Sequence, residues 1–159
     1  MKIKRVSTGF NLDKTLKDIQ KRSLTVGFHP SAVYEDGKSV AMIAVQNEFG
    51  NVNKNIPPRP FMRPTVSENK EKWKNIIFKQ SKAITNNQLT PRSAFVQLGE
   101  LVGSNIQSGI VNVTAPALAT ATVMNRLRGK KQGKSVSLSI AKPLVDSGYM
   151  LNSVTAEVK

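Results

Sequence analysis

Few side chains in this sequence could perform chemistry. The 159 residues include one histidine, ten carboxylates and no cysteine. Disulfides, thiolate metal sites and a cysteine nucleophile are therefore excluded for this chain. His29 follows a predicted strand and precedes a proline, and a lone histidine cannot build a histidine-based metal site. We interpret His29 as a surface residue.

The carboxylates also form no recognisable catalytic set. The pairs Asp13/Asp18 and Glu68/Glu71 lie on predicted basic helices, where they are best explained as surface charges or partners of a helix dipole. Residues 128–135, RGKKQGKS, end in Gly-Lys-Ser, but their glycines stand too close together for a phosphate-binding loop. The sequence therefore predicts a protein that is not an enzyme and binds no cofactor or metal.

The net charge of +14 is the strongest global feature of the chain. A field of this size attracts nucleic acid, anionic lipid or an acidic protein surface, although it also suits a merely solvated surface. The apolar runs are too short to cross a membrane, and the basic N-terminus lacks the apolar region of a signal peptide. We therefore expect no membrane partner.

Residues 126–134, RLRGKKQGK, concentrate this charge, with two glycines and no acid. Such a composition cannot form a core, so it predicts an exposed, flexible basic loop. The loop could contact phosphates of DNA, or it could be solvated or ordered against an acidic neighbouring subunit. No aromatic residue is interleaved, so base stacking is not indicated. The basic side chains are Arg126, Arg128, Lys130, Lys131 and Lys134.

A proline-rich segment, which we call the proline strap, spans residues 51–65 and contains IPPRPFMRPT. Prolines fix φ and order the chain in advance, which lowers the entropic cost of docking. Phe61 offers an apolar anchor, and Arg59 and Arg63 offer planar forks for carboxylates. The strap is thus either a rigid connector or an arm that contacts a neighbouring subunit. The predicted interface residues are Phe49, Pro57, Pro58, Arg59, Pro60, Phe61 and Arg63.

Apolar periodicity predicts an α+β fold in a single domain, residues 1–159. Alternating apolar residues predict strands at 23–29, 135–140 and 153–159. We expect a small, mostly antiparallel sheet of three or four strands, flanked by two longer helices.

The predicted helices have recognisable starts. Ser39 is a candidate N-cap, Thr65 and Glu68 match a capping box, and Pro91 occupies the favoured first position. Residues 1–22 are expected to form a basic N-terminal helix or arm. The predicted helices span 10–22, 40–48, 66–84, 91–109 and, less distinctly, 116–127.

Two runs together resemble a known family. AVQNEFGNVNKNIPPRPFMRPT (44–65) and KPLVDSGYMLNSVT (142–155) are similar to motifs of small virion-morphogenesis proteins of tailed bacteriophages. The resemblance is to the tail-completion group, also described as neck or head–tail joining proteins, and its motifs cover about a quarter of the chain. Its pattern positions here are Glu48, Phe49 and Gly50, the proline strap, and the turn Asp146, Ser147 and Gly148.

The resemblance implies a structural role without catalysis or cofactor. Such proteins form homo-oligomeric rings between capsid portal and tail, which implies six subunits by preference and twelve as the other possibility. Neighbouring connector, head-closure, tail-tube or tail-terminator proteins would be partners, with genomic DNA in the channel, and the location would be the virion after synthesis in the host cytoplasm. Tail completion, tail termination and head closure all stay open. The alternative function is sequence-independent nucleic-acid binding.

Overall fold

The computed structural model describes residues 11–131 and 142–159. Six helices and a two-stranded antiparallel sheet confirm the α+β class within these residues. In chain order the elements are α1 (Leu12–Gln20), β1 (Leu24–Phe28), α2 (Val40–Phe49), a 3₁₀ turn (Val52–Lys54), α3 (Met62–Thr85), α4 (Pro91–Asn112), α5 (Thr120–Lys131), α6 (Tyr149–Asn152) and β2 (Val154–Val158).

The sheet joins the first and last strands of the chain. β1 pairs with β2 in antiparallel register, from Leu24 opposite Val158 to Phe28 opposite Val154. The predicted alternation is confirmed, since one face packs on α4 while the other carries Thr155 and is exposed. The further strand predicted at 135–140 lies outside the described residues.

α4 is the central helix, and close approaches on two sides fix its position. A Cβ atom at Gly99 would lie 2.9 Å from both the Cβ of Ala156 and a methyl of Leu24, so the sheet packs directly on the α4 backbone there. Toward α3, the indole of Trp73 donates a hydrogen bond to Asn105 at 2.9 Å. α4 therefore lies between the sheet and α3.

The predicted starts of α2 and α4 are confirmed. The hydroxyl of Ser39 accepts a hydrogen bond from the Met42 amide, and that of Thr90 accepts one from the Ser93 amide, with Pro91 first in the helix. Each cap satisfies an amide that has no partner within its own helix.

α3 begins at Met62, one turn earlier than predicted. Thr65 cannot act as the N-cap because it is buried inside the helix, where its hydroxyl donates to the Phe61 carbonyl at 2.7 Å. The predicted capping box at Thr65 and Glu68 is therefore wrong. The last residues of the proline strap, from Met62, are helical, and residues 57–61 have no regular secondary structure.

Residues 120–131 form α5, so the basic loop predicted at 126–134 is wrong up to Lys131. The rest of that predicted loop lies outside the described residues. The helix is held in place through Arg126, whose guanidinium donates to the carbonyls of Lys142 at 2.8 Å and Pro143 at 3.3 Å.

The hydrophobic core combines residues that are distant in sequence, from Val40 to Met150. It lies where α2, α4 and the segment before α6 meet, and Ile110 and Val40 are fully buried there. Its members are Val40, Ala44, Phe61, Ile106, Ile110, Leu144, Val145 and Met150.

Candidate functional site

Glu48 connects the end of α2 to the start of α3. Its side chain is buried, and one carboxylate oxygen accepts hydrogen bonds from the amides of Phe61 at 2.7 Å and Met62 at 2.9 Å. The other oxygen accepts from the amide of Arg63 at 3.1 Å and from its Nε at 2.8 Å. Glu48 therefore caps α3 from another helix, and its negative charge lies at the positive end of the α3 dipole.

Two opposing effects act on the pKa of Glu48. Burial favours the neutral acid and by itself raises the pKa, whereas hydrogen bonds from the amides of Met62, Phe61 and Arg63 and from the Arg63 guanidinium favour the carboxylate. The hydrogen bonds outweigh the burial, so the net pKa of Glu48 is lowered. The cap is therefore ionised at neutral pH.

Gly50 allows the proline strap to return against α2. Its φ of 77° lies in the left-handed region, and a Cβ there would be 2.9 Å from the Ile56 carbonyl oxygen and the Pro58 nitrogen. The segment that returns after Gly50 is held against α2 by the Arg59 amide, which donates to the Asn47 carbonyl at 2.6 Å. Only glycine satisfies both the conformation and the space at this position.

Arg59 binds backbone carbonyls of its own chain. Its side chain donates to the carbonyl of Pro116 at 2.7 Å and to that of Ala117 at 3.0 Å. Burial, followed by repulsion from Arg126, lowers the pKa of the guanidinium from its ordinary value. The prediction that Arg59 binds a neighbour's carboxylate is therefore corrected, because the residue is buried and its Nε and one terminal nitrogen donate to carbonyls within the subunit.

Phe61 is also used within its own subunit. It is 2% exposed, belongs to the core, and meets Phe28 edge-to-face with ring centroids 6.1 Å apart. Phe61 is therefore a core residue, and its prediction as an anchor for a neighbour is corrected. The remaining predicted strap residues, Pro57, Pro58 and Pro60, are exposed.

Phe49 and Arg63 contact each other on the surface. The guanidinium carbon of Arg63 lies 4.6 Å from the centroid of the Phe49 ring, within the range of a cation–π contact. Phe49 nevertheless remains 61% exposed. Both predicted interface residues are therefore accessible.

An apolar stripe, which we call the α2 stripe, runs along the outer side of α2 and into the following turn. Met42, Val45, Phe49 and Val52 are 58%, 54%, 61% and 96% exposed. Met42, Val45 and Phe49 follow one another at intervals of three and four residues, the spacing that aligns side chains on one side of a helix. Val52 lies beyond the end of the helix, in the 3₁₀ turn. α2 is therefore apolar on two sides, of which only one faces the core.

Sequence reasoning missed the α2 stripe except for Phe49. The signal was present, because residues 40–49 contain too many apolar residues for a helix with one buried side. Without the fold, however, the pattern could not show which side faces the core.

Of the predicted DNA-facing side chains, the structure describes Arg126 and Arg128, and these two differ in exposure. Arg126 is directed inward, toward the carbonyls before α6, and its guanidinium lies 3.2 Å from the Asp146 carboxylate. Arg128 is exposed on α5. The side chains of Lys130, Lys131 and Lys134 are outside the described part of the chain.

The Asp146–Gly148 turn has a structural role. Asp146 pairs with Arg126, the hydroxyl of Ser147 accepts from the Tyr149 amide at 3.3 Å, and Gly148 precedes α6. Tyr149 packs against Tyr34, whose pKa is raised by burial and then by the nearby Asp146 charge. The turn thus fastens α5 and α6 to each other.

No metal-binding cluster of three or more His, Asp or Glu side chains occurs in 11–131 and 142–159. His29 is exposed, as predicted, and its Nδ1 lies 2.6 Å from the Ser31 hydroxyl. Within the same residues, no helix has the length and apolar character needed to span a bilayer.

Comparisons with models of protein families, with curated proteins and with solved structures found no match to this chain. Its function must therefore be argued from its own residues.

Proposed function

We propose that this chain is a structural, non-enzymatic virion protein of a tailed bacteriophage, and that it forms a homo-oligomeric ring at the head–tail junction. The α2 stripe is the observation that carries self-assembly. Exposed apolar side chains that lie next to one another are characteristic of protein interaction sites, whereas isolated ones are common on any surface. The resemblance of the two sequence motifs supports the phage assignment.

The proposed interface differs from the one that the sequence predicts. The proline strap closes onto its own subunit through Arg59 and Phe61, so it shapes the end of α2 and leaves Phe49 exposed. The strap therefore presents the interface indirectly, and the α2 stripe supplies the contact.

A closed ring requires each subunit to present two different surfaces. We propose six subunits by preference, with twelve as the alternative, and a place beside a connector, head-closure, tail-tube or tail-terminator protein. We further propose that residues 135–140 add a third strand to the sheet, as their alternation predicts.

Sedimentation and negative-stain microscopy of the purified chain test the proposal. Wild type should form rings, and Val45→Asp should remain monomeric because it places a charge in the centre of the apolar stripe. Ile77→Asp is the matched control, since Ile77 is 50% exposed on α3 and lies about 21 Å along that helix from Arg63, the residue that contacts Phe49. Equal assembly of wild type and both variants would contradict the proposed surface. Normal tailed particles made without the protein would contradict the proposed place in the virion.

A second candidate function is sequence-independent nucleic-acid binding through α3. Lys70, Lys74 and Lys82 are exposed at multiples of four residues, and Phe78, 61% exposed, lies between them. The ammonium of Lys82 is 4.6 Å from the Phe78 ring centroid. Lysines on one helix side can neutralise successive phosphates.

Fluorescence polarisation with a labelled DNA duplex distinguishes this candidate. Binding should weaken steeply with salt and fall at least tenfold in a Lys70→Glu, Lys82→Glu variant. The same charge change at Lys14 and Lys17 on α1 should have a smaller effect. No binding at low salt would reject this candidate.

A further inference from the structure

The charge of the chain restricts which surfaces of two copies can meet. Each copy carries a net charge of +14, so an interface between copies must avoid placing lysines against lysines. α2 meets this condition, because Glu48 is the only charged residue of the helix and its carboxylate is already paired with Arg63. The α2 stripe is therefore an apolar surface on a strongly basic protein, and the Arg63 guanidinium that contacts Phe49 is paired with Glu48.

Among the described residues, three helices other than α2 expose at least two large apolar residues that could pack on the stripe. On α5, Met124 and Leu127 are 48% and 37% exposed, but that helix carries four cations and no carboxylate. On α3, Ile77 and Phe78 are exposed, but that helix carries six cations against two carboxylates. On α1, Leu12 and Leu16 are 57% and 45% exposed, and that helix has two lysines and two aspartates. Charge therefore favours α1, whose lysines and aspartates balance.

We propose that the Leu12–Leu16 side of α1 packs on the α2 stripe of the next copy. The inference rests on the proposed ring and identifies its two contact surfaces. Because α1 and α2 differ, the contact is heterologous and can be repeated from copy to copy until the ring closes. α1 thus acts as the arm, the role that the sequence suggested for the proline strap.

The spacing of the apolar residues fits this pairing. Leu12 and Leu16 are one helical turn apart, about 6 Å along the axis, whereas Met42 and Phe49 are two turns apart, about 10 Å. The two leucines can therefore lie in the spaces between Met42, Val45 and Phe49, as side chains do between packed helices.

α1 is also ordered before it meets a neighbour. The side chain of Asn11 accepts from the Lys14 amide at 2.9 Å, and Arg22 pairs with Asp18 at 2.7 Å. α1 also contacts α4 of its own chain. A helix that is already formed and attached loses little conformational entropy on docking.

The absence of cysteine permits a direct test by disulfide formation. Leu16→Cys is combined in turn with Met42→Cys, Val45→Cys and Phe49→Cys, so that the three pairs scan the register of the two helices. Two cysteines form a disulfide only when their Cβ atoms come within about 4.5 Å. After oxidation with copper phenanthroline, non-reducing electrophoresis should show a ladder of covalent oligomers for at least one pair, and reductant should abolish it.

Each control result has a defined meaning. Single-cysteine variants and an Ile77→Cys, Val45→Cys pair should show no ladder. If Val45→Cys alone forms covalent dimers in high yield, α2 packs on α2, and the inference is overturned.

Sedimentation of the cysteine-free chain separates the α1–α2 contact from the proposed ring. A ring without any cross-link through Leu16 overturns the α1–α2 contact alone, whereas a monomer at every concentration overturns the ring as well.

Discussion

Glu48 and Arg63 pair across the proline strap, with 2.8 Å between the carboxylate and the Arg63 Nε. Fifteen residues separate them in sequence, and Arg63 also donates from its amide to the same carboxylate oxygen and from its side chain to the Glu48 carbonyl. The two halves of the run from Glu48 to Arg63 therefore depend on each other physically. Glu48, in the first half, supplies the cap, and the start of α3, in the second half, supplies the amides that the cap binds.

Replacing the capping carboxylate should destabilise the fold. Glu48→Gln keeps the size of the side chain but removes its charge and places an amide donor against backbone amides. We expect the free energy of unfolding in urea to fall by about 2–3 kcal/mol, because hydrogen bonds to charged groups are stronger than neutral ones. Glu68→Gln, an exposed change on the same helix α3, should alter it by less than about 0.5 kcal/mol. Similar losses in both variants would contradict the cap.

The contribution of Glu48 should depend on pH in a defined direction. Its pKa is lower in the folded chain than the ordinary value of 4.5, so the unfolded chain binds a proton at higher pH than the folded chain does. The stabilisation is therefore fully present above pH 4.5 and is lost as the pH falls through the lower folded pKa. Urea unfolding of wild type and Glu48→Gln should give a difference that narrows below pH 4.5. A difference that widens on acidification would contradict this assignment.

Gly50 and Gly37 form a matched pair for testing the turn after α2. Both have positive φ, 77° and 78°, but only at Gly50 would a Cβ meet backbone atoms, at 2.9 Å, and Gly37 has open space. Gly37→Ala should cost about 1 kcal/mol from conformation alone. Gly50→Ala should cost clearly more, about 2–4 kcal/mol, because the proline strap must also move. Equal losses of unfolding free energy would show that the strap does not press on this position.

The sequence predicted most elements because local signals agree with their final environment. The cap at Ser39, the proline at the first position of α4 and the alternation in β1 operate within a few residues, so they could be interpreted without a tertiary structure. The start of α3 failed for the opposite reason. Thr65 and Glu68 imitate a capping box, but the true cap comes from Glu48, which is distant in sequence and near only in the fold.

The candidate site was harder to predict for a related reason. Arg and Phe in an exposed proline-rich segment are typical of interfaces, yet Arg59 donates to carbonyls of its own subunit and Phe61 is buried in its core. Arg126 likewise binds carbonyls that follow it by about sixteen residues. Composition shows that such side chains need partners, whereas only the fold shows whether the partner belongs to the same chain.

The comparison of Phe49→Ala with Phe61→Ala tests the central claim most directly. Thermal unfolding and sedimentation velocity are measured on both variants and on wild type. Phe61→Ala should lower the free energy of unfolding by about 3–5 kcal/mol, because it leaves a cavity in the core. Phe49→Ala should cost about 1 kcal/mol or less in stability, the contribution of its contact with Arg63, yet should shift the protein from ring to monomer. A Phe61→Ala variant that folds normally but fails to assemble would contradict the account and restore the proline strap as the contact between subunits.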